Sequence, residues 1–344
     1  MGIRIGTRAR DEARTAGPIA AALAFAVCLV TSGAAIAQEK GTVEPKPLPP
    51  LAKPEDPKTP AKELFGRRPL PAPAMHSRTI GFYAKGCLAG GAALPTNGPT
   101  WQVMRLSRNR NWGHPKLVEL IERLSRKGAK VGWPGLLVGD MSQPRGGPMI
   151  TGHTSHQIGL DVDLWYLAMP DHVLSNDERE TIGAPSMLID GKLAVDPAMW
   201  TPQRAALLKR AASYPEVARI FVSAAIKKSL CETTTGDRSW LAKIRPWYAH
   251  EDHFHVRLTC PVGMATCINQ PAVEADDGCG ADIAWWLKPQ PPEPPPKPPF
   301  SLPKETTLPD LPSACTAVVT ATPGGLSPAA LKIAPPLPRP RPGD

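Results

Sequence analysis

The sequence predicts an α+β fold: one disulfide-bonded domain around a small central antiparallel sheet with flanking helices, confined to the middle of the chain. Three observations lead there. Helix and strand patterns mix along residues 79–287 without a regular βαβ repeat. Two stretches, "GLDVDLW" (159–165) and "HFHVRLTC" (253–260), alternate with period 2 and read as strands. The 43 prolines crowd the two ends, so the folded body is shorter than the 344-residue chain.

The elements follow in chain order. Arg4, Arg8, Arg10 and Arg14 precede an uncharged run, 17–37, that ends in the small-x-small "AIA". Residues 1–37 read as a secretory signal peptide cut before Gln38. Its apolar core, Ile19 to Val30, is short for a membrane span, so no transmembrane anchor is expected after cleavage. Cys28 leaves with it. Residues 38–78, rich in Pro and Lys, read as a linker.

"HPKLVELIERLSRKG" (114–128) places Leu117, Leu120, Ile121 and Leu124 on one face, with Pro115 at the start and Gly128 at the end. That is an amphipathic helix. "GLLVGDM" (135–141) reads as a short strand, and residues 201–215 as a second helix, capped by Thr201 with Pro202 in its first turn. Residues 217–223 read as a strand and 224–231 as a short helix. From Lys288 the composition turns to "KPQPPEPPPKPPF", a polyproline II pattern, and the tail 288–344 reads as mostly disordered. Cys315 is the exception: paired with a core cysteine, it would staple part of the tail to the body.

Charge and cysteines narrow the function classes. The chain carries a net charge of +9, of which +2 lies in residues 1–37. A basic exported chain suits an anionic partner such as a cell wall, a membrane surface or nucleic acid. No RNA- or DNA-binding motif and no aromatic–basic interleaving is present, so no nucleic-acid partner is expected. Six cysteines remain after cleavage, an even number that favours three disulfides in an exported chain. No C-x2-C pair exists to build a zinc ribbon. Cys260 and Cys267 are close enough to close a small loop; the pairing of Cys87, Cys231, Cys279 and Cys315 is open on spacing alone.

Five of the eight histidines sit in two short stretches: His153 and His156, then His250, His253 and His255. In the strand from His253, alternation sets His253, His255 and Arg257 on one face and Phe254, Val256 and Leu258 toward the core. In the earlier strand, Leu160, Val162 and Leu164 face the core, and Asp161, Asp163 and Trp165 share the other side. The aspartates therefore line a site. His156 lies seven residues before Asp163, on the entering loop, and Gly159 between them lets the chain turn close to an ion. His156, Asp163 and His255 make a His2Asp set that leaves a fourth tetrahedral position for water, the arrangement of a catalytic zinc. Zinc there lowers the pKa of water to about 7 and polarises a carbonyl. H-x-H or H-x6-D alone is weak, because a histidine pair also serves as a satisfied polar element. Their conjunction on two alternating strands carries the reading.

The same residues resemble a known family. "GHTSHQIGLDVDLW", "QVMRLSRNRNWGHPKLVELIERLS", "VGDMSQPRGG", "ARIFVSAAIKKSLC", "KIRPWYAHEDHFHVRLTCP" and "DDGCGAD" are similar, in order, to the penicillin-insensitive murein endopeptidases, relatives of D-Ala-D-Ala peptidases and lysostaphin-type hydrolases. The resemblance spans about residues 79–287, which would be the zinc peptidase domain. It implies a periplasmic hydrolase that cuts the D-alanyl–diaminopimelate cross-link of peptidoglycan. It implies zinc on His156, Asp163 and His255, with His253 assisting catalysis and His250 as a second candidate. It also implies the bridges Cys231–Cys279, Cys260–Cys267 and Cys87–Cys315. Family members can hold a second zinc, using the histidine matching His153 and a later Asp/His pair. Here that pair keeps Asp190 but has Leu193 in place of histidine. The departure argues against a second zinc and leaves His153 as a supporting or substrate-contact residue. Peptidoglycan is the implied partner, and a homodimer stays open.

Rival readings are a D-Ala-D-Ala carboxypeptidase or dipeptidase using the same zinc site, and a non-catalytic wall-binding protein. The intact His156/Asp163/His255 set argues against the second. Among carboxylate rivals for the proton-carrying role, alternation points Asp252 away from the site and gives Glu251 the right face only if the strand starts early. A serine route would rest on "SLPK" (301–304), where Pro303 opposes the required helix. Most of the tryptophans read as core, with some left for stacking on substrate. Arg257 could meet a stem-peptide carboxylate or stand solvated.

Overall fold

A computed structural model describes residues 40–274, 276–288 and 305–322. The signal-peptide stretch, the S-x-x-K match and the polyproline run beyond Lys288 lie outside them.

Strands β1 (Arg78–Phe82) and β2 (Lys85–Ala89) form a hairpin. A two-residue pair, β3 (Ala92–Ala93) and β6 (Trp112–Gly113), lies beside it in sequence. The main sheet holds β4 (Asn97–Gly98), β5 (Trp101–Val103), β7 (Leu136–Val138), β8 (Asp161–Ala168), β9 (Val217–Val222), β10 (Ile244–Pro246) and β11 (His253–Leu258). Its order is β10-β9-β11-β8-β7-β5-β4. The central pairs β9–β11, β11–β8 and β8–β7 are antiparallel. The flanking pairs β10–β9 and β7–β5 are parallel. The sheet is thus mixed, not wholly antiparallel as read from sequence. Helices are the cause: parallel neighbours need a long crossover, and α2 (Pro115–Gly128) and α5 (Ala224–Thr233) supply them between β5 and β7 and between β9 and β10. The α+β class stands.

Alternation sorts the two central strands as their patterns require. Leu160, Val162 and Leu164, together with Phe254, Val256 and Leu258, enter the main core. There they meet Leu117, Leu120, Ile121 and Leu124 of α2 and Leu207 and Leu208 of α4 (Pro202–Ala212). Pro115 opens α2, and the His114 ring accepts a hydrogen bond from the Lys116 backbone N–H as its cap. Thr201 occupies the N-cap position of α4 without a side-chain cap bond. Its hydroxyl instead accepts from the Arg204 guanidinium. The short helix α3 (Asn176–Thr181) starts in a capping box between Ser175 and Glu178.

All three bridges implied by the resemblance form: Cys87–Cys315, Cys231–Cys279 and Cys260–Cys267. The flanks are more folded than their proline content suggests. Helices α1 (Ala61–Phe65) and α7 (Ala314–Thr320) are formed in them, and α6 (Ala281–Trp286) lies at the end of the body. Ala61, Phe65 and Ala72 pack with Ile80, Cys87, Cys315, Val318 and Val319 in a second small core. Composition averages hide such a patch: a few apolar residues between prolines suffice when a hairpin offers a face to cover. Arg145 fixes this patch by donating to the carbonyls of Val318, Val319 and Ala321 at the end of α7 and to Leu70.

The Cys87–Cys315 bridge spans 228 residues of sequence. Replacing both cysteines by serine is expected to cost roughly 2–5 kcal/mol and to free the segment carrying α7 first. Urea unfolding measures the first effect, and limited proteolysis with mass spectrometry the second. Unchanged stability and protection would show that the apolar contacts of α7 hold it unaided.

Candidate metal centre

The site is built on the pairing of β8 with β11, whose register sets Asp163 opposite His255 and Asp161 opposite Arg257. Asp161, Asp163 and His156 are fully buried. His156 enters from the preceding loop with φ at 69°, in the left-handed region that histidine seldom occupies. Two bonds hold it there: its backbone N–H donates to Asp161 Oδ2 at 3.2 Å, and its Nδ1–H donates to the Met141 carbonyl at 3.0 Å. Its Nε2 therefore carries the lone pair. Gly159 also has positive φ, and a Cβ there would lie 2.8 Å from Leu88 Cδ2 and 3.0 Å from the His114 nitrogen. The glycine thus lets the loop pack on Leu88 and the start of α2, rather than approach an ion.

Imidazole nitrogens converge on Asp163. His255 Nδ1 lies 3.3 Å from its Oδ1, His156 Nε2 3.5 Å and His253 Nε2 3.7 Å. His153 Nδ1 faces the other oxygen, Oδ2, at 3.5 Å. The His156 ring lies 4.6 Å from that of His255 and 4.3 Å from that of His153. His153, His156 and Asp163 offer donor atoms all within 4.8 Å of one another. Nitrogen and oxygen ligands at about 2.0–2.1 Å from a tetrahedral zinc stand about 3.3 Å apart. The spacing around Asp163 Oδ1 matches. His156 Nε2 and His253 Nε2 are also buried without a hydrogen bond, an unfavourable arrangement that a cation relieves. His255 is not one of that three-residue group, but its Nδ1 stands nearest to Asp163 Oδ1, so His156 and Asp163 with either His153 or His255 fit one zinc.

Each ring is anchored by its second nitrogen. His255 Nε2–H donates to Asp161 Oδ1 at 2.8 Å, and Arg257 Nε donates to the same oxygen at 2.7 Å. His153 bonds Asp140, which also pairs with Arg108 and Arg110. His253 Nδ1 bonds Asp252 Oδ1, and His250 Nδ1 bonds the Tyr248 carbonyl. Such carboxylate–histidine contacts fix the tautomer and the ring orientation. Three findings depart from the sequence reading. Asp252 is not turned away: it precedes β11, where strand alternation has not begun, and its carboxylate folds back onto the ring of its neighbour. Arg257 is buried, not solvated, and stacks 4.2 Å over the Tyr83 ring. Asp140 had no signal in "VGDM" and emerges only in three dimensions, whereas alternation had already placed Asp161 on this face.

His250 packs 4.8 Å from the His253 ring. Asp190 lies apart, exposed in a turn, with Leu193 exposed nearby. Among the described residues, no metal-compatible group includes it.

Electrostatics divides the histidines. Burial pushes His156 down to about 4, so it is neutral at pH 7. His250 is likewise held well below the ordinary value by burial and then by His253 and His255. Burial also pulls on His255, but Asp161 and Asp163 outweigh it and hold the group above the ordinary histidine value. Asp163 and Asp252 do the same for His253. Against their own burial, Asp163 is held well below the carboxylate range by His156, His253 and His153, and Asp161 below it by Arg257 and His255. His156 is thus a ready donor, while a metal must displace a proton from His255. Asp161→Asn is expected to weaken zinc binding by about 10–100-fold at neutral pH. It removes the carboxylate that raises His255, so the acid limit of zinc uptake should move to lower pH. Competition with a chromophoric chelator across pH measures both; wild-type affinity in the variant would refute the orienting role.

With this geometry in place, the comparisons with known proteins converge. A family model described as penicillin-insensitive murein endopeptidase matches residues 79–320. The chain is 43% identical over 254 residues to a penicillin-insensitive murein endopeptidase of Haemophilus influenzae, covering 74% of this chain and 86% of the relative. A Klebsiella pneumoniae protein of the same name is 42% identical over 244 residues, 71% and 86% of the two chains. An Escherichia coli one is 41% identical over 253 residues, 73% and 88%. The matched span runs through both central strands, every cysteine bridge and the docked helix α7, and the chain belongs to the penicillin-insensitive murein endopeptidase family.

Proposed function

We propose that this protein is a periplasmic zinc endopeptidase that hydrolyses the D-alanyl–diaminopimelate cross-link of peptidoglycan during wall remodelling. The observation that carries the reading is the set of imidazole nitrogens spaced around Asp163 Oδ1 at ligand-to-ligand distance, each ring fixed from behind. Family membership supplies the substrate class, and the signal-peptide reading the compartment. The basic charge suits an acidic wall.

His156 Nε2, Asp163 and His255 Nδ1 are the residues that would hold zinc. The bound ion supplies Lewis acidity, polarising the scissile carbonyl and making a water acidic enough to attack at neutral pH. His253 is the proton carrier. Its Nδ1 is tied to Asp252, so its Nε2 faces the Asp163 side of the site. Asp252 and Asp163 raise its affinity for a proton, which suits a group that removes one from water and returns it to the leaving amine. Asp252 positions that ring and balances the imidazolium that forms. His250 sets a neutral ring beside it, a polar neighbour for the negative charge that develops on the carbonyl oxygen. Glu251 is exposed ahead of the strand and is not needed as base.

His255→Ala is expected to lose both zinc and cleavage of purified cross-linked muropeptide dimers. Elemental analysis and chromatography of the products read the two. Trimming of free D-Ala termini with intact dimers would favour a carboxypeptidase instead. His253→Ala is expected to keep zinc while turnover falls by about 100-fold or more. Undiminished turnover would remove His253 from the chemistry.

A further inference from the structure

The sheet register extends the site sideways. His255 on β11 faces Phe221 on β9, and Phe221 faces Arg245 on β10. One row across four strands therefore reads Arg245, Phe221, His255, Asp163. The next row on the same face reads Arg219, Arg257, Asp161. Neighbouring strands stand about 4.8 Å apart, so the backbone of Arg245 is about 10 Å from that of His255.

A pocket of about 190 Å³ opens at this end of the rows, lined by Arg219, Phe221, Arg245, Trp247, Gln270 and Trp286 among others. Pockets that engulf a whole small ligand run to roughly 300–1,000 Å³, so this one takes a single side chain. Its wall toward the metal centre is the Phe221 ring, 5.3 Å from that of His255. Trp247 and Trp286, 5.9 Å apart, form the aromatic side. The polar side is cationic and incompletely matched. Arg219 donates to the Pro271 carbonyl and has no carboxylate partner among the described residues. Arg245 spends one nitrogen on Asp282, while its Nη1 is buried against Gly278. Arg257 is committed to Asp161 and Gln270. Two guanidiniums beside an apolar wall, Arg219 without a carboxylate partner among the described residues, suit a carboxylate.

We propose that this pocket binds a free carboxylate of the acidic stem peptide, on a residue within a few bonds of the scissile amide, and so sets which peptide enters the metal centre. Arg219 and Arg245 grip the carboxylate, and Trp247 and Trp286 cover the aliphatic part of that residue. The assignment rests on the murein reading for its substrate class.

The test is calorimetric titration of an uncross-linked stem peptide, and of the same peptide with its carboxylates amidated, into the wild-type protein, Arg219→Gln, Arg245→Gln and Arg219→Lys. Amidation or either Gln substitution is expected to weaken binding about 10-fold. Combining amidation with a Gln substitution should add little, and Arg219→Lys should recover part of the loss. An amide that binds as tightly as the acid overturns the proposal, as does full additivity of amidation with both substitutions. Cleavage of cross-linked dimers by the wild type, run alongside, separates the two claims. Acid-selective binding without cleavage leaves the pocket and sinks the endopeptidase reading. Cleavage without acid selectivity does the reverse.

Discussion

The architecture turns on one buried interaction, the acceptance by Asp161 of both His255 and Arg257 on the neighbouring strand. A carboxylate with no exposure to water is tolerated only when it is paired and hydrogen-bonded. Asp161 has three donors: the His255 ring, the Arg257 guanidinium and the backbone N–H of His156. That single group ties together the strand carrying one proposed ligand, the loop carrying another, and its own strand, which carries the third. Removing one partner of such a buried set costs about 3–5 kcal/mol because the remainder stays uncompensated. The site and the central strand pairing therefore stand or fall together.

Register is the second consequence. A slip of one residue between β8 and β11 would turn one of them over, sending either Asp161 and Asp163 or His253 and His255 into the main core. The alternating pattern forbids this on both strands at once. Rigidity at the site follows from hydrophobic sorting on the opposite face, where Leu160, Val162, Phe254 and Val256 pack with α2 and α4. The loop bearing His156 is different. Its left-handed backbone is held by Asp161 and Met141, by the Gly159 packing against Leu88, and by Gln157, which bonds the Tyr83 and Ala84 carbonyls and the Gly86 N–H. Local strain of roughly 1–3 kcal/mol at such a residue persists where surrounding contacts over-determine it.

Much of this was legible in the sequence, for a physical reason. Period-2 alternation reports which face a residue takes, and two strands reporting histidines and aspartates on their non-core faces suffice to locate a site. Helix α2 was equally plain from its apolar stripe and Pro115. What alternation cannot report is pairing direction, so the parallel pairs at the flanks of the sheet did not show. It also fails outside the strand, which is why Asp252 was assigned the wrong side. Asp140 and Arg145 act through contacts with residues far along the chain, and nothing local marks them. The folded patch around Phe65 and Val318 was masked by proline content, because composition averages over the few apolar residues that dock.

The charges around Asp163 bear on how an ion there would be balanced. His253 and His255 both hold protons more tightly than an ordinary histidine, and both face the same carboxylate. Two imidazolium protons and one divalent cation are alternative ways of balancing that carboxylate within a buried pocket. A cation on the proposed ligands His156, Asp163 and His255 would offset Asp163 itself and so lower the proton affinity that Asp163 and Asp252 together impose on His253. The ring proposed to give and take a proton would then be poised by the opposing pulls of the cation on one side and Asp252 on the other. A further divalent ion beside His153 would meet Arg108 and Arg110 already paired with Asp140. Leu193, where another imidazole would be required, is exposed in a separate turn. One metal on this group would have protein neighbours that tune one histidine.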